Sequence, residues 1–172
     1  GVASGDPAQT SVVLWTRYAA SYPVRLRVEV ADDEGFSRII QSGEVEASPA
    51  HDGCVHAIAE SLAPGRWYFY RFLAPDGLPS ETGRTRTLPS GNVERFRIAV
   101  FSCSNGTSGW FNAYAHAAAR DDIDLAIHTG DSQYFPGAQL ERDFVGSDQT
   151  ALVTRHQVPP FQHRCTRRSL PL

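Results

Sequence analysis

Val24-Arg25-Leu26-Arg27-Val28-Glu29-Val30 alternates apolar with charged side chains, one residue at a time. A helix would scatter those apolar groups around its axis, whereas a strand gathers them on one face. The period of two therefore predicts a half-buried β-strand. Working outward, further strands are predicted in a β-branched run from Thr10 to Thr16 around Trp15, and at Ile39–Ala47, Cys54–Ser61, Trp67–Leu73 and Gly83–Leu88. Turn signals separate them: Asp32-Asp33-Glu34-Gly35, Ser48-Pro49, Ala63-Pro64-Gly65 and Pro75-Asp76-Gly77. Short strands at roughly 8–12-residue spacing predict an antiparallel β-sandwich over residues 1–90.

Leu62-Ala63-Pro64-Gly65-Arg66-Trp67-Tyr68 sharpens that reading. A Leu and a Pro lead into a strand that carries a Tyr three residues past the Gly, the pattern of a tyrosine corner. In such a corner the phenol hydroxyl bonds back to the chain just upstream. Tyr68 and Tyr70 are accordingly read as structural.

Beyond Pro89-Ser90-Gly91-Asn92 the pattern changes. Arg95–Phe101 reads as a strand with Phe96, Ile98 and Val100 on one face and Ala99 and Phe101 on the other. A polar loop follows from Ser102 to Gly109. Trp110, Tyr114, Ala117 and Ala118 then fall on one face of a helix from Trp110 to Arg120, with Ser108 as its expected cap. A second apolar strand runs from Asp124 to His128 and ends in Thr129-Gly130-Asp131. Strand, helix, strand is a βαβ unit with parallel strands. The predicted class is mainly β, a sandwich followed by a partial α/β domain over residues 91–137. The stretch 138–172 is expected to be irregular, apart from a short segment at Gln149 to Arg155.

Composition narrows the function. Sixteen basic residues, every one of them Arg, against nineteen acidic ones give a net charge of −3, which argues against nucleic-acid binding by bulk electrostatics. No run approaches the ~18 consecutive apolar residues of a membrane-spanning helix. The chain has no Met and opens at Gly1, as expected of a processed product or an excised stretch without its targeting segment. Cys54, Cys103 and Cys165 are odd in number and widely spaced, which matches neither a disulfide framework nor a zinc motif.

In α/β sheets the loops at the carboxyl ends of parallel strands converge on one crevice. Here those loops are Phe101-Ser102-Cys103-Ser104-Asn105-Gly106 and His128-Thr129-Gly130-Asp131-Ser132-Gln133-Tyr134. Neighbouring strands lie about 5 Å apart, so Cys103 and Asp131 can address a common ion, and Tyr134 can reach it from around the turn. A thiol and a phenol, with ordinary pKa values near ~8.5 and ~10, ionise at neutral pH only beside a highly charged cation. Three such donors suit a trivalent, oxidisable metal better than Mg²⁺. The plain alternative remains open at this point: a Gly-Asp turn and a cysteine acting as a small buried hydrophobe.

The opening Gly1-Val2-Ala3-Ser4-Gly5-Asp6-Pro7 and Ser11-Val12-Val13-Leu14-Trp15-Thr16-Arg17 resemble the start of PhoD-like alkaline phosphatases. The resemblance continues through Leu62-Ala63-Pro64-Gly65, Tyr70-Arg71-Phe72 and Gly83-Arg84-Thr85-Arg86-Thr87. It resumes at Phe101-Ser102-Cys103, Phe111-Asn112-Ala113-Tyr114 and His128-Thr129-Gly130-Asp131, covering about the first 135 residues in order. It implies a fibronectin III-like N-terminal sandwich and the start of a metallophosphoesterase domain, in an exported enzyme found in the periplasm, outside the cell or at its surface. Such enzymes hydrolyse phosphate esters with iron, as Fe³⁺, and calcium. The family's Ser-Cys loop falls on Ser102-Cys103 and its Gly-Asp-Tyr-x-Tyr motif on Gly130 to Tyr134. The resemblance thus makes Cys103, Asp131 and Tyr134 metal ligands.

Two departures stand out: Ser132 replaces the first Tyr of that motif, and Phe135 stands where an acidic residue commonly follows. The family's later Trp-Asp-Asp-His-Glu type segment has no counterpart, and the resemblance stops near Gly137. The reading is therefore the N-terminal portion of a secreted PhoD-like phosphatase or phosphodiesterase, itself inactive for want of the later ligands. The competing reading is a non-catalytic sandwich binding module with a short α/β appendage. Of the remaining polar residues, His128 is expected to be packed, His51 and Asp52 to sit in a turn, and Cys54 to be buried. Cys165, His156 and His163 carry no metal assignment.

Overall fold

The structure is a computed structural model that describes residues 1–103, 111–130 and 170–171. Two four-stranded sheets form the sandwich. The first holds β1 (Val2–Gly5), β2 (Val12–Arg17), β5 (Cys54–Ala59) and β10 (Leu170–Pro171), in that order. The second holds β4 (Ile39–Ala47), β3 (Val24–Ala31), β6 (Trp67–Leu73) and β7 (Gly83–Arg86), in that order. Pairings among β1–β7 are antiparallel, while β10 lies parallel to β5.

The alternation read from the sequence sets the core. Leu26, Val28 and Val30 of β3 meet Val12 and Leu14 of β2, Val55, Ala57 and Ala59 of β5, and Tyr68, Tyr70 and Phe72 of β6 in one buried cluster. Two apolar faces pressed together in this way remove hydrocarbon from water, the main favourable contribution to folding. Val2, Ala3 and Ser4 of β1 are buried in succession, which is why no alternation announced that strand. Strand ends have local causes. Ser61 adopts φ 57°, so β5 stops at Ala59 before the chain turns. β7 ends at Arg86: the Thr87 N–H still donates to the Arg66 carbonyl at 3.1 Å, but the Arg66 N–H donates to the Thr87 hydroxyl at 3.1 Å.

The tyrosine corner forms as read: the Tyr68 hydroxyl accepts the Ala63 N–H at 2.8 Å and donates to its carbonyl at 3.4 Å. Tyr70 is wholly buried, and burial pushes its phenol well above the ordinary range, with the Ser4 hydroxyl offsetting part of the effect. Cys54 corrects an expectation. As the first residue of β5 it is half-buried rather than core. His51 ends a short 3-10 helix (Pro49–His51), and Asp52 follows with φ 54°, the turn that was expected.

Glu29 breaks the alternation that surrounds it. It lies on the outward face of β3, yet only 4% of it is exposed. A buried carboxylate is costly unless paired. Here the Arg71 guanidinium donates from Nε at 3.0 Å and Nη2 at 2.8 Å, and Arg27 approaches at 3.2 Å. The loop after β3 completes the cover. The Asp33 carboxylate accepts the N–H groups of Ser37 and Arg38, which hold it below the usual carboxylate range, and the Phe36 ring lies 4.1 Å from the Arg71 guanidinium carbon.

The second unit is the predicted βαβ. β8 (Ile98–Phe101) and β9 (Leu125–His128) run parallel in register Ile98↔Leu125 to Phe101↔His128, with α1 (Asn112–Ala118) between them in the chain. β8 is shorter than read because Arg97 is occupied elsewhere. Its N–H donates to Asp124 Oδ2 at 2.8 Å, and its carbonyl accepts the N–H groups of Asp124 and Leu125. The helix begins two residues later than expected, at Asn112, and its cap is Phe111 rather than Ser108, with no side-chain capping bond. Ser108 and Trp110 lie outside the described residues. Only Leu170–Pro171 of the stretch expected to be irregular is described, and it forms an edge strand. Gln149 to Arg155, His156, His163 and Cys165 lie outside the described residues.

Arginines of β7 tie the two units together. Arg84 and Arg86 stack on the Trp67 indole, with guanidinium carbons 4.3 and 5.3 Å from the ring centre. Arg84 pairs with Asp121 at 2.9 Å and Arg86 with Asp124. Asp124 thus binds the sandwich through Oδ1 and the base of β8 through Oδ2. Among the described residues no helix is long and apolar enough to cross a membrane.

Candidate functional site

Phe101 and His128 are the last residues of two parallel strands in register, so the chain leaves both at the same level. The Thr129 N–H donates to the Phe101 carbonyl at 2.9 Å, extending the ladder by one step. The Cys103 N–H then donates to the Gly130 carbonyl at 3.1 Å. That bond brings the predicted thiol ligand beside the residue immediately before Asp131. Asp131 and Tyr134 themselves lie outside the described residues.

The backbone on both sides of this bond is unusual. Cys103 adopts φ 54° and Gly130 φ 126°. The first is uncommon for a residue with a side chain and costs local strain, which recurs at functional positions. The second is open to glycine alone at low cost. Cys103 is exposed, a requirement for a thiol that is to meet an ion rather than fill a core.

The face behind the strand ends is aromatic. Tyr114 of α1 packs on Phe101 with ring centres 4.7 Å apart and lies 6.1 Å from the His128 ring, nearly parallel to it. The Tyr114 hydroxyl and His128 Nε2 are 2.8 Å apart, and the Gly130 N–H donates to His128 Nδ1 at 3.2 Å. His128 is half-buried, as expected, and both ring nitrogens are hydrogen-bonded. Sequence reasoning placed Tyr114 on the packing face and His128 at the strand end but missed their bond. A His and a Tyr from separate elements give no local spacing signal.

Among the described residues no group of three or more His, Cys, Asp and Glu side chains could hold a metal ion. The described part of the predicted donor set fits a metal in its chemistry: one exposed thiol, on a constrained backbone, at the carboxyl end of a parallel strand.

Comparison with known proteins bears on the whole chain. Residues 1–89 match the family model of the PhoD-like phosphatase N-terminal domain, and residues 98–168 match the PhoD-like phosphatase model. The second match runs past Gly137 and corrects the reading that the later stretch is unrelated to the family. Alkaline phosphatase D of Bacillus subtilis (strain 168) is 40% identical over 145 residues, covering 78% of this chain and 24% of that protein. A solved structure of PhoD superimposes with a TM-score of 0.76 at 39% identity, covering 81% of this chain and 28% of that one. The chain therefore spans about a quarter of the length of either relative.

Proposed function

Because the chain belongs to the PhoD-like phosphatase family, we propose that it is the N-terminal portion of a secreted metal-dependent phosphatase or phosphodiesterase acting on phosphate esters. Cys103, Asp131 and Tyr134 are the residues that would hold iron, as Fe³⁺, with calcium completing the centre. Such a centre supplies Lewis-acid charge that stabilises the negative charge developing on a phosphoryl group. The observation that carries this reading is the Cys103 N–H to Gly130 carbonyl bond, which closes the gap between the two loops at residues 103 and 130.

The chain's own residues would act as follows. Cys103 would lose its proton on binding and present a thiolate. Asp131 would add a carboxylate, and Tyr134 a phenolate stabilised by the same positive charge. The family's later ligand motifs have no recognisable counterpart here, so this chain alone should turn over little substrate.

Ferric iron added to the purified chain tests the proposal. A coloured complex is expected, with a charge-transfer band lost in Tyr134→Phe and binding lost in Cys103→Ser. A colourless chain that takes up no iron would favour the alternative of a non-catalytic binding module, which the closed core of the sandwich supports. Hydrolysis of a chromogenic phosphate ester, abolished by chelation and by Cys103→Ser, would overturn the claim that further ligands are needed.

A further inference from the structure

Gly130 is pinned twice. Its N–H donates to His128 Nδ1 at 3.2 Å, and its carbonyl accepts from Cys103 at 3.1 Å. Gly130 has φ 126°, and among the described residues nothing lies within 4 Å of where a Cβ would sit. Among the described residues, the two hydrogen bonds are what restrain it. Glycine is the residue with most conformational freedom to lose, so those two bonds matter most for its orientation.

The first of them has a chemical condition. His128 Nδ1 can accept an N–H only when it carries no proton, so the ring is neutral and its single proton sits on Nε2. Nε2 lies 2.8 Å from the Tyr114 hydroxyl, which can accept that proton's hydrogen bond. The Tyr114 ring is held by Phe101 at 4.7 Å and Phe111 at 5.8 Å, so α1 presents the hydroxyl from a packed position.

We propose that Tyr114 and His128 are positioning residues: the Tyr114 hydroxyl anchors the His128 ring at Nε2, and the bare Nδ1 clamps Gly130 so that its carbonyl meets the Cys103 N–H. The clamp sets the spacing of Cys103 and Gly130 before any ion arrives. Its consequence for metal affinity rests on the function proposed above, but the clamp itself does not. Residues that orient the ligands of a metal typically change its affinity about 10- to 100-fold when removed.

Two measurements on the full chain test this. In the metal-free protein, imidazole ¹H–¹⁵N correlations should show the His128 proton on Nε2; a proton on Nδ1 overturns the proposal. Amide hydrogen exchange at Gly130 and Cys103 should accelerate about tenfold or more in Tyr114→Phe and in His128→Gln, with the amides of β8 and β9 unchanged. His128→Asn, which returns an acceptor near the Nδ1 position, should recover most of the protection. Equal acceleration along both strands would mean that Tyr114 and His128 only stabilise the unit, and the proposal fails. With ferric iron as probe, Tyr114→Phe should weaken binding about tenfold; unchanged binding overturns the proposed consequence. Should the unmodified chain bind no iron, the metal reading fails while the exchange result still decides the clamp.

Discussion

Val28 and Val100 both sit inside apolar strands, yet Val28 is 0% exposed and Val100 is 64% exposed. The difference lies in what each sheet has opposite it. In the sandwich, every inward residue of β3 faces an inward residue of the other sheet, and the apolar surface closes on itself. In the βαβ unit one face of the two-stranded sheet meets α1 through Phe101 and His128, while Ile98, Val100 and Ile127 remain 40–64% exposed on the other. By themselves, the two strands and seven-residue helix that are described bury too little apolar surface to balance the entropy of ordering them. The lesson is that strand pattern alone does not measure stability; a strand contributes according to the surface that covers it.

The largest break in that comparison should come from Leu14, which is wholly buried in the sandwich core. Leu14→Ala is expected to cost about 2–5 kcal/mol, read as a lowered denaturant midpoint. Limited proteolysis should show the same asymmetry from the other side, with cleavage between residues 91 and 130 preceding any cut in β1–β7. Simultaneous cleavage of both regions would erase the distinction.

Gly83 tests the sandwich at a tighter point. It pairs across the strands with Tyr70, and a Cβ built on it would lie 2.2 Å from the Tyr70 ring. The ring occupies the space the glycine leaves. Gly83→Ala should therefore cost about 1–3 kcal/mol by overpacking, with the same melt as readout, although it adds a single methyl. Val100→Ser forms the opposite limit. At an exposed position it should shift the unfolding midpoint by less than about 0.5 kcal/mol; a larger loss would show that the exposed face is covered in solution.

The sandwich was legible because each of its strands reports its own environment. Val24–Val30 alternates, Tyr68 carries its corner partners within six residues, and the turns carry Gly, Pro and Asp. Glu29 was misleading for the converse reason: its burial depends on Arg71 and Phe36, which are remote or unremarkable in sequence. The site was legible only in outline. Strand-end loops could be named from the βαβ pattern, and Cys103 does fall beside Gly130. The left-handed backbone at Cys103 and the bond between Tyr114 and His128 could not be read, since both arise from contacts between separate elements.

The smallest expected effect concerns acid. Asp122, in the turn between α1 and β9, has its pKa lowered to about 2, chiefly by the hydrogen bonds from Arg120, with Arg97 adding to the effect. The Arg120 Nε lies 2.8 Å from one carboxylate oxygen, and Arg97 Nε lies 3.4 Å from the other. A carboxyl whose folded pKa is depressed adds stability that is fully present above its unfolded value of 3.8 and disappears as the pH falls through about 2. The pair is exposed, so the contribution is small and weakened by salt. A carboxyl-carbon titration should place the Asp122 midpoint near 2 in the intact chain, and closer to its ordinary value in Arg120→Gln. Over the same range the amides of β9 should lose protection while those of β2 and β3 keep theirs, because Asp122 pairs with Arg120, just past α1, and with Arg97 at the base of β8. Acid loss that begins instead in β2 and β3 would reverse the order of stability argued for the two regions.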